Sequence, residues 1–413
     1  MTTAQADRVA AFPRHAMTAQ LVAASMLLCC ASYVVNAMDR QVFPSLLVGI
    51  DKHYGFTLPQ GGLLATIFTL GLGACGVAAG ALVQRFGRKR MMLVGIAIYS
   101  IFTLLTGVAL GFADMLVYRA VSGAGEALQN AALFTAVGAY FSANRAMALG
   151  TLNFAYGVGS FFGPLFGTRL FAASGAWQTP FFVYGALGLV VVAIIALVVP
   201  TKFMECVERE HPSEASGKAI RSLWNRNVVL CAIAAAIVGV SLYGYIGLYP
   251  TYLRTQLGYS VQQAGFMASM FGLGALVGIP AGWLGDRLPQ RAVVIGSFAC
   301  SMLVGYALFH GFTAPAQQMV LSFLEGAFAS GFLFVNLYAL IQRSAPKRSV
   351  AAASGLYVTA LYLPASVAGY LFASLTMSLG WGGAANVQLV GVVAIGILVM
   401  LFYDDGASPR SSA

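Results

Sequence analysis

Apolar residues run in blocks of about twenty along nearly the whole 413-residue chain. A hydrocarbon layer roughly 30 Å thick needs about 20 apolar residues per crossing helix, and lipid offers no partner to an unpaired backbone group. Blocks of this length therefore predict spanning helices. About twelve can be counted, near 18–48, 59–83, 91–111, 114–140, 146–170, 178–200, 228–251, 261–285, 292–312, 316–342, 349–376 and 381–403. A soluble reading is excluded by composition: 59% of residues are hydrophobic, only 9% are charged, and the mean hydropathy is +0.81.

The formal net charge of +10 suggests a nucleic-acid partner only until the basic residues are placed. They fall in short clusters between apolar runs and make no continuous basic face, so no nucleic acid is expected. Arg85, Arg88, Lys89, Arg90, Arg145, Lys202, Arg287, Arg291, Arg343 and Lys347 share one side if the N-terminus is inside, where the positive-inside rule puts them. Both termini are then cytoplasmic, in a cell membrane, most simply a bacterial inner membrane. The run after the polar start is too long for a signal-peptide core, so residues 1–17 read as a tail before a retained first helix. Six cysteines lack metal-ligand spacing, and neither a metal nor a disulfide is expected.

The chain repeats itself. "GALVQRFGRKR" at 80–90 follows the second block and "GWLGDRLPQR" at 282–291 follows the eighth, an offset of 286 − 84 = 202. "SANRAMA" and "APKRSVA" repeat at 348 − 145 = 203. A six-helix unit has been duplicated. The fold class expected is all-α and polytopic, with twelve transmembrane helices in two pseudo-symmetric six-helix bundles. The expected units are a bundle at 18–200, an interdomain loop at 201–227, a second bundle at 228–403 and a tail at 404–413.

This pattern resembles the major facilitator superfamily across essentially the whole chain. That family's loop signature after the second span is G-x-x-x-D-R-x-G-R-[RK]; Gly80, Arg85, Gly87, Arg88 and Lys89 match it, while Gln84 replaces the acid. The second copy keeps Gly282, Asp286 and Arg287. The resemblance implies a cytoplasmic gate at Gly80, Gln84, Arg85, Arg88, Asp286 and Arg287, and alternating access to a site between the halves.

Away from their ends, the spans contain few ionisable residues: Asp39, Arg40, Arg119, Glu126 and Glu325. Each central charge costs on the order of 2.5–3.5 kcal/mol to insert, so each is expected to face a cavity, a pathway or a partner. Arg119 and Glu126, seven residues apart, share a helix face. With Asp39 and Arg40 they make a cluster of two acids and two bases if the first and fourth spans touch. "NAMDR" at 36–40 and R-x-x-x-G-x-G-E at 119–126 resemble the anion:cation symporter branch, with Ala37 in place of the usual tyrosine. The resemblance implies that Asp39 and Glu126 take protons and that Arg40 and Arg119 hold the substrate anion or steady the acids. A static network that only locks helices is the competing reading.

Arg119 is expected to be the main anion ligand, with Arg40 assisting. Polar and aromatic residues at Gln129, Asn130, Asn153, Tyr156, Tyr243, Tyr245, Asn336, Tyr357 and Tyr362 interrupt other spans. Of these, Gln129, Asn153, Tyr156, Tyr245, Asn336 and Tyr357, with Glu325, are expected to line the substrate. "GVGSFFGPLFGT" at 157–168 is similar to the fifth-helix motif of proton-coupled exporters, and the D-R and G-E-A pairs are similar to spinster-like lipid carriers. The function expected is proton-coupled uptake of a small organic anion, a carboxylate or sugar acid; proton-coupled export or lysolipid transport is the alternative. An enzyme is not expected, since no histidine is central. Nor is a cofactor beyond the coupling proton, since no phosphate-binding loop exists. The partners expected are the organic anion, protons and membrane lipid, around a monomer.

Overall fold

The computed structural model describes residues 17–206, 224–346 and 349–404. Most of the interdomain loop and nearly all of both tails expected from the sequence lie outside these residues. Thr18 caps the first helix, α1 (Ala19–Tyr54), by accepting from the Leu21 amide, and Gly55 ends it in the left-handed region at φ 70°. A capping box on Thr57 and Gln60 then starts α2, which runs as Leu58–Thr66 and, after a break at Ile67, as Phe68–Phe86. The turn recurs in the second half. Gly258 has φ 71°, and Ser260 with Gln263 caps the helix that follows, both 203 residues later (258 − 55 and 260 − 57). "YGFTLPQ" and "LGYSVQQ" are thus a third marker of the duplication, legible as glycine, aromatic, hydroxyl and glutamine at fixed steps.

The remaining spans are α3 (Arg88–Gly107), α4 (Phe112–Tyr140), α5 (Arg145–Ser174), α6 (Thr179–Val198), α7 (Arg226–Thr255), α8 (Val261–Arg287), α9 (Gln290–Phe309) and α10 (Pro315–Ser344). A last helical stretch, Ala352–Leu401, reverses where Gly380 takes φ 72°, giving α11 at 350–379 and α12 at 381–401. That makes twelve long helices among the described residues, the number of spans the sequence predicts, with no strand among them. The first helix therefore starts, and the last one ends, on the same side, here called the termini side. The middle of α10, Gly326–Phe334, winds as a π-helix.

On the side away from the termini the two halves touch backbone to backbone. A Cβ on Gly62 of α2 would stand 2.3 Å from the Gly369 carbonyl oxygen of α11. The Thr66 hydroxyl donates to the Ser366 carbonyl at 2.9 Å and accepts from the Gly369 amide at 3.3 Å. Further toward the termini, Gly76 meets only Val358, at 3.6 Å, and Gly80, Gly150 and Gly355 meet nothing within 4 Å. The halves are closed on one side and parted on the other.

The short helix Thr201–Met204 fastens the start of the interdomain loop to the first half. Phe203 is buried against the rings of Tyr140 and Phe141, and Arg88 donates to the Cys206 carbonyl at 2.7 Å. Gly87, at the start of α3, has no side chain with which to cap it; Glu205 serves instead, accepting from the Lys89 amide at 2.9 Å. Glu205→Ala is expected to lower stability by roughly 0.5–2 kcal/mol without abolishing the fold. Thermal unfolding of the purified protein checks this, and an unchanged transition would show that the cap contributes nothing.

Candidate functional site

Glycines set the site. In R-x-x-x-G-x-G-E, Gly123 lets the backbone of α2 at Phe68 come so close that a Cβ would overlap the Phe68 carbonyl oxygen, and Gly125 does the same for α3 at Gly95 and Tyr99. Small residues permit this approach where lipid supplies no hydrophobic drive. With α4 held so, Arg119 and Glu126 meet the Asp39 and Arg40 side chains of α1. All four are at most 1% exposed.

The Arg40 Nη2 and Nε atoms both donate to one oxygen of Glu126, Oε2, at 2.6 and 3.0 Å. The other oxygen, Oε1, is buried with no hydrogen-bond partner. Nη2 of Arg40 also reaches Asn36 Oδ1 at 3.3 Å, the Asn36 amide donates to Gln129 at 2.9 Å, and Gln129 donates to Ser32 at 3.2 Å. Ser32, Asn36 and Arg40 stand four residues apart, so they form one stripe of α1; that spacing is the sequence signal for Ser32 and Asn36. Asp39 interacts with Arg119, Glu126 and Arg40 through its charge and has the Thr103 hydroxyl beside it, though neither carboxylate oxygen makes a hydrogen bond of good geometry. The Arg119 guanidinium lies over the rings of Phe43 and Phe68, at 4.6 and 5.1 Å from their centres, with Nε and Nη2 unpartnered.

Arg40, rather than Arg119, faces the second half. Its guanidinium is 5.6 Å from the ring centres of both Phe68 and Tyr156, and it interacts with the phenols of Tyr362, Tyr243 and Tyr156. Gln41 makes a long contact, 3.5 Å, with the Tyr156 hydroxyl. Asn153 is exposed on α5, between Gly150, which meets nothing within 4 Å, and Gly157, which meets α8 of the second half.

Four expected substrate-lining residues make their hydrogen bonds within the second half, and of these Tyr245 also lines a small cavity with Gln41 and Ser45 of α1. The Tyr245 hydroxyl bonds Ser322 at 2.8 Å, and Glu325 accepts from Ser301 at 2.9 Å. Asn336 donates to the Ala281 and Phe332 carbonyls, and Tyr357 donates to the Phe334 carbonyl at 3.0 Å. Polar side chains in a membrane bundle bond the nearest backbone or hydroxyl group. Of the second-half tyrosines, it is Tyr243 and Tyr362 that reach Arg40.

The gate residues do not bridge the halves in this conformation. Gln84 and Arg85 are exposed, with Arg85 over the Phe86 ring, and Arg88 bonds the loop start. Asp286 pairs with Arg343 at 2.5 Å within the second half, and Arg287 lies over Trp283. Gly80 is open. The exporter-like glycines have a packing role: Gly159 and Gly163 take the α1 backbone at Val34 and Met38, and Gly157 meets α8.

A sequence model of the Major Facilitator Superfamily matches residues 29–369, and again 232–412. The chain belongs to the major facilitator superfamily. It is therefore a multi-pass membrane transporter and not an enzyme. The superfamily relatives it is similar to include a 3-(3-hydroxy-phenyl)propionate transporter of Escherichia coli, 27% identical over 91% of this chain and 92% of the relative. A hexuronate transporter of Bacillus subtilis is 23% identical over 83% of this chain and 84% of the relative. A bacterial homologue of the human lysosomal transporter Spinster, solved in an inward-facing, unoccupied conformation, has the same fold at a TM-score of 0.75. It is 18% identical, with 94% of this chain and 96% of that one covered.

Proposed function

We propose that this transporter carries a small organic anion together with protons, from the outside to the cytoplasm, by alternating access. One observation carries the reading: the Arg40 guanidinium is neutralised by Glu126 through a single oxygen, while the other oxygen, Oε1, is buried with no hydrogen-bond partner. A proton arriving at Oε1 neutralises Glu126 and leaves Arg40 charged, ready for a substrate carboxylate. Substrate binding and protonation then favour each other, which is what symport requires. Asp39, beside Arg119, is the second carboxyl of the pathway. Relatives named for hexuronate and for hydroxyphenylpropionate carry organic acids of this kind. If the basic loops face the cytoplasm, as the positive-inside rule has them, a structure parted on the termini side corresponds to the inward-open state.

In proteoliposomes, Glu126→Gln and Asp39→Asn are expected to lose proton-driven accumulation at least tenfold while retaining substrate exchange down a gradient. Undiminished concentrative uptake in both variants would remove the carboxyls from coupling.

A further inference from the structure

The surroundings of Arg40 indicate which acid it holds. Outward from its guanidinium the neighbours are rings. Phe68 and Tyr156 stand on it at 5.6 Å, Tyr243 meets Phe68 edge-on at 5.9 Å, and Tyr362 meets Tyr243 edge-on at 5.8 Å. Two of these rings come from the first half and two from the second. Arg40 itself is buried, whereas Tyr156 and Tyr362 are partly exposed.

Several groups able to read a polyhydroxylated substrate are already engaged. The amides of Asn36 and Gln129 bond each other and Ser32, and the phenol of Tyr245 bonds Ser322. Beside the rings, Gln41 holds a weakly used amide and Asn153, one turn from Tyr156, an exposed one. A sugar acid buried here would leave several hydroxyls unpaired, each at a desolvation cost, while a planar apolar body meets ring faces and edges.

Resting on the reading of Arg40 as the anion ligand, we propose that the substrate is an aromatic carboxylate. Its carboxylate pairs with Arg40, and its ring lies among Phe68, Tyr156, Tyr243 and Tyr362. A ring hydroxyl would have the phenols of Tyr243 and Tyr362 within reach.

The test is calorimetric binding to the full chain in lipid nanodiscs, with 3-phenylpropionate, glucuronate and a lysophospholipid as probes. 3-Phenylpropionate is expected to bind at least tenfold tighter than glucuronate. Tyr243→Leu and Tyr362→Leu should each weaken it about three- to tenfold. Tyr243→Phe and Tyr362→Phe, which keep the ring and the packing, should leave 3-phenylpropionate affinity within about twofold and so control for misfolding. Glucuronate binding as tightly as 3-phenylpropionate would overturn the aromatic class and leave the organic-anion reading standing. Equal affinity in the leucine variants would overturn the ring contacts. A lysophospholipid binding where neither acid does would overturn the organic-anion reading itself.

Discussion

Arg40→Ala is expected to abolish uptake and to lower stability by about 3–5 kcal/mol, because it strands the Glu126 carboxylate in a fully buried position. The stability loss should be largely reversed by adding Glu126→Gln, since the double variant contains no uncompensated charge at this pair. Uptake should not return, because no guanidinium is left to receive the anion. Chemical or thermal unfolding of the four proteins, with transport assayed in the same preparations, completes the cycle. A double variant as unstable as Arg40→Ala would mean that Arg40 acts through its packing on Phe68 and Tyr156. A double variant that transports would take the guanidinium out of substrate binding.

Gly62→Val should stop turnover without unfolding the protein. Its Cβ would lie 2.3 Å from the Gly369 carbonyl oxygen, and the Gly369 backbone cannot yield while α11 stays helical. The seam between the halves then cannot close, and the population moves to states parted on that side. A penalty of about 1.4 kcal/mol already changes such an equilibrium tenfold, and backbone overlap costs more. Net uptake is expected to fall by about tenfold or more, with substrate still bound. Spin labels on α2 and α11, read by pulsed electron-spin distance measurements, should report a longer separation on that side. Normal uptake would show that Gly62 and Gly369 never need to meet during the cycle.

Much of this fold can be read from the chain because its strongest signals are local. A block of twenty apolar residues means a crossing helix, and two loop signatures 202 residues apart mean a duplicated unit. The four charges of the site are legible for a similar reason: in lipid, an arginine without a partner is too costly to ignore. What surrounds them is less so. Asn36 meets Gln129 across 93 residues of sequence, and nothing in a tyrosine says whether its ring will reach Arg40, as that of Tyr362 does, or a backbone carbonyl, as the hydroxyl of Tyr357 does. Glu325 and Asn336 attract notice as polar residues in an apolar span; Ser301, which bonds one oxygen of Glu325 and leaves Oε2 without a partner, and the Ala281 carbonyl, which Asn336 meets, lie on other helices. Glu205 sits in a polar stretch and shows its role only when the start of α3 is found to lack a cap of its own.

The contacts at Gly62, Thr66, Ser366 and Gly369 that shut one side are made of peptide groups and a hydroxyl, with no charge among them. Ions in the surrounding fluid screen charge pairs and barely touch such contacts. A cell meeting brackish and fresh water in turn would therefore find this side of its carrier shutting with the same firmness.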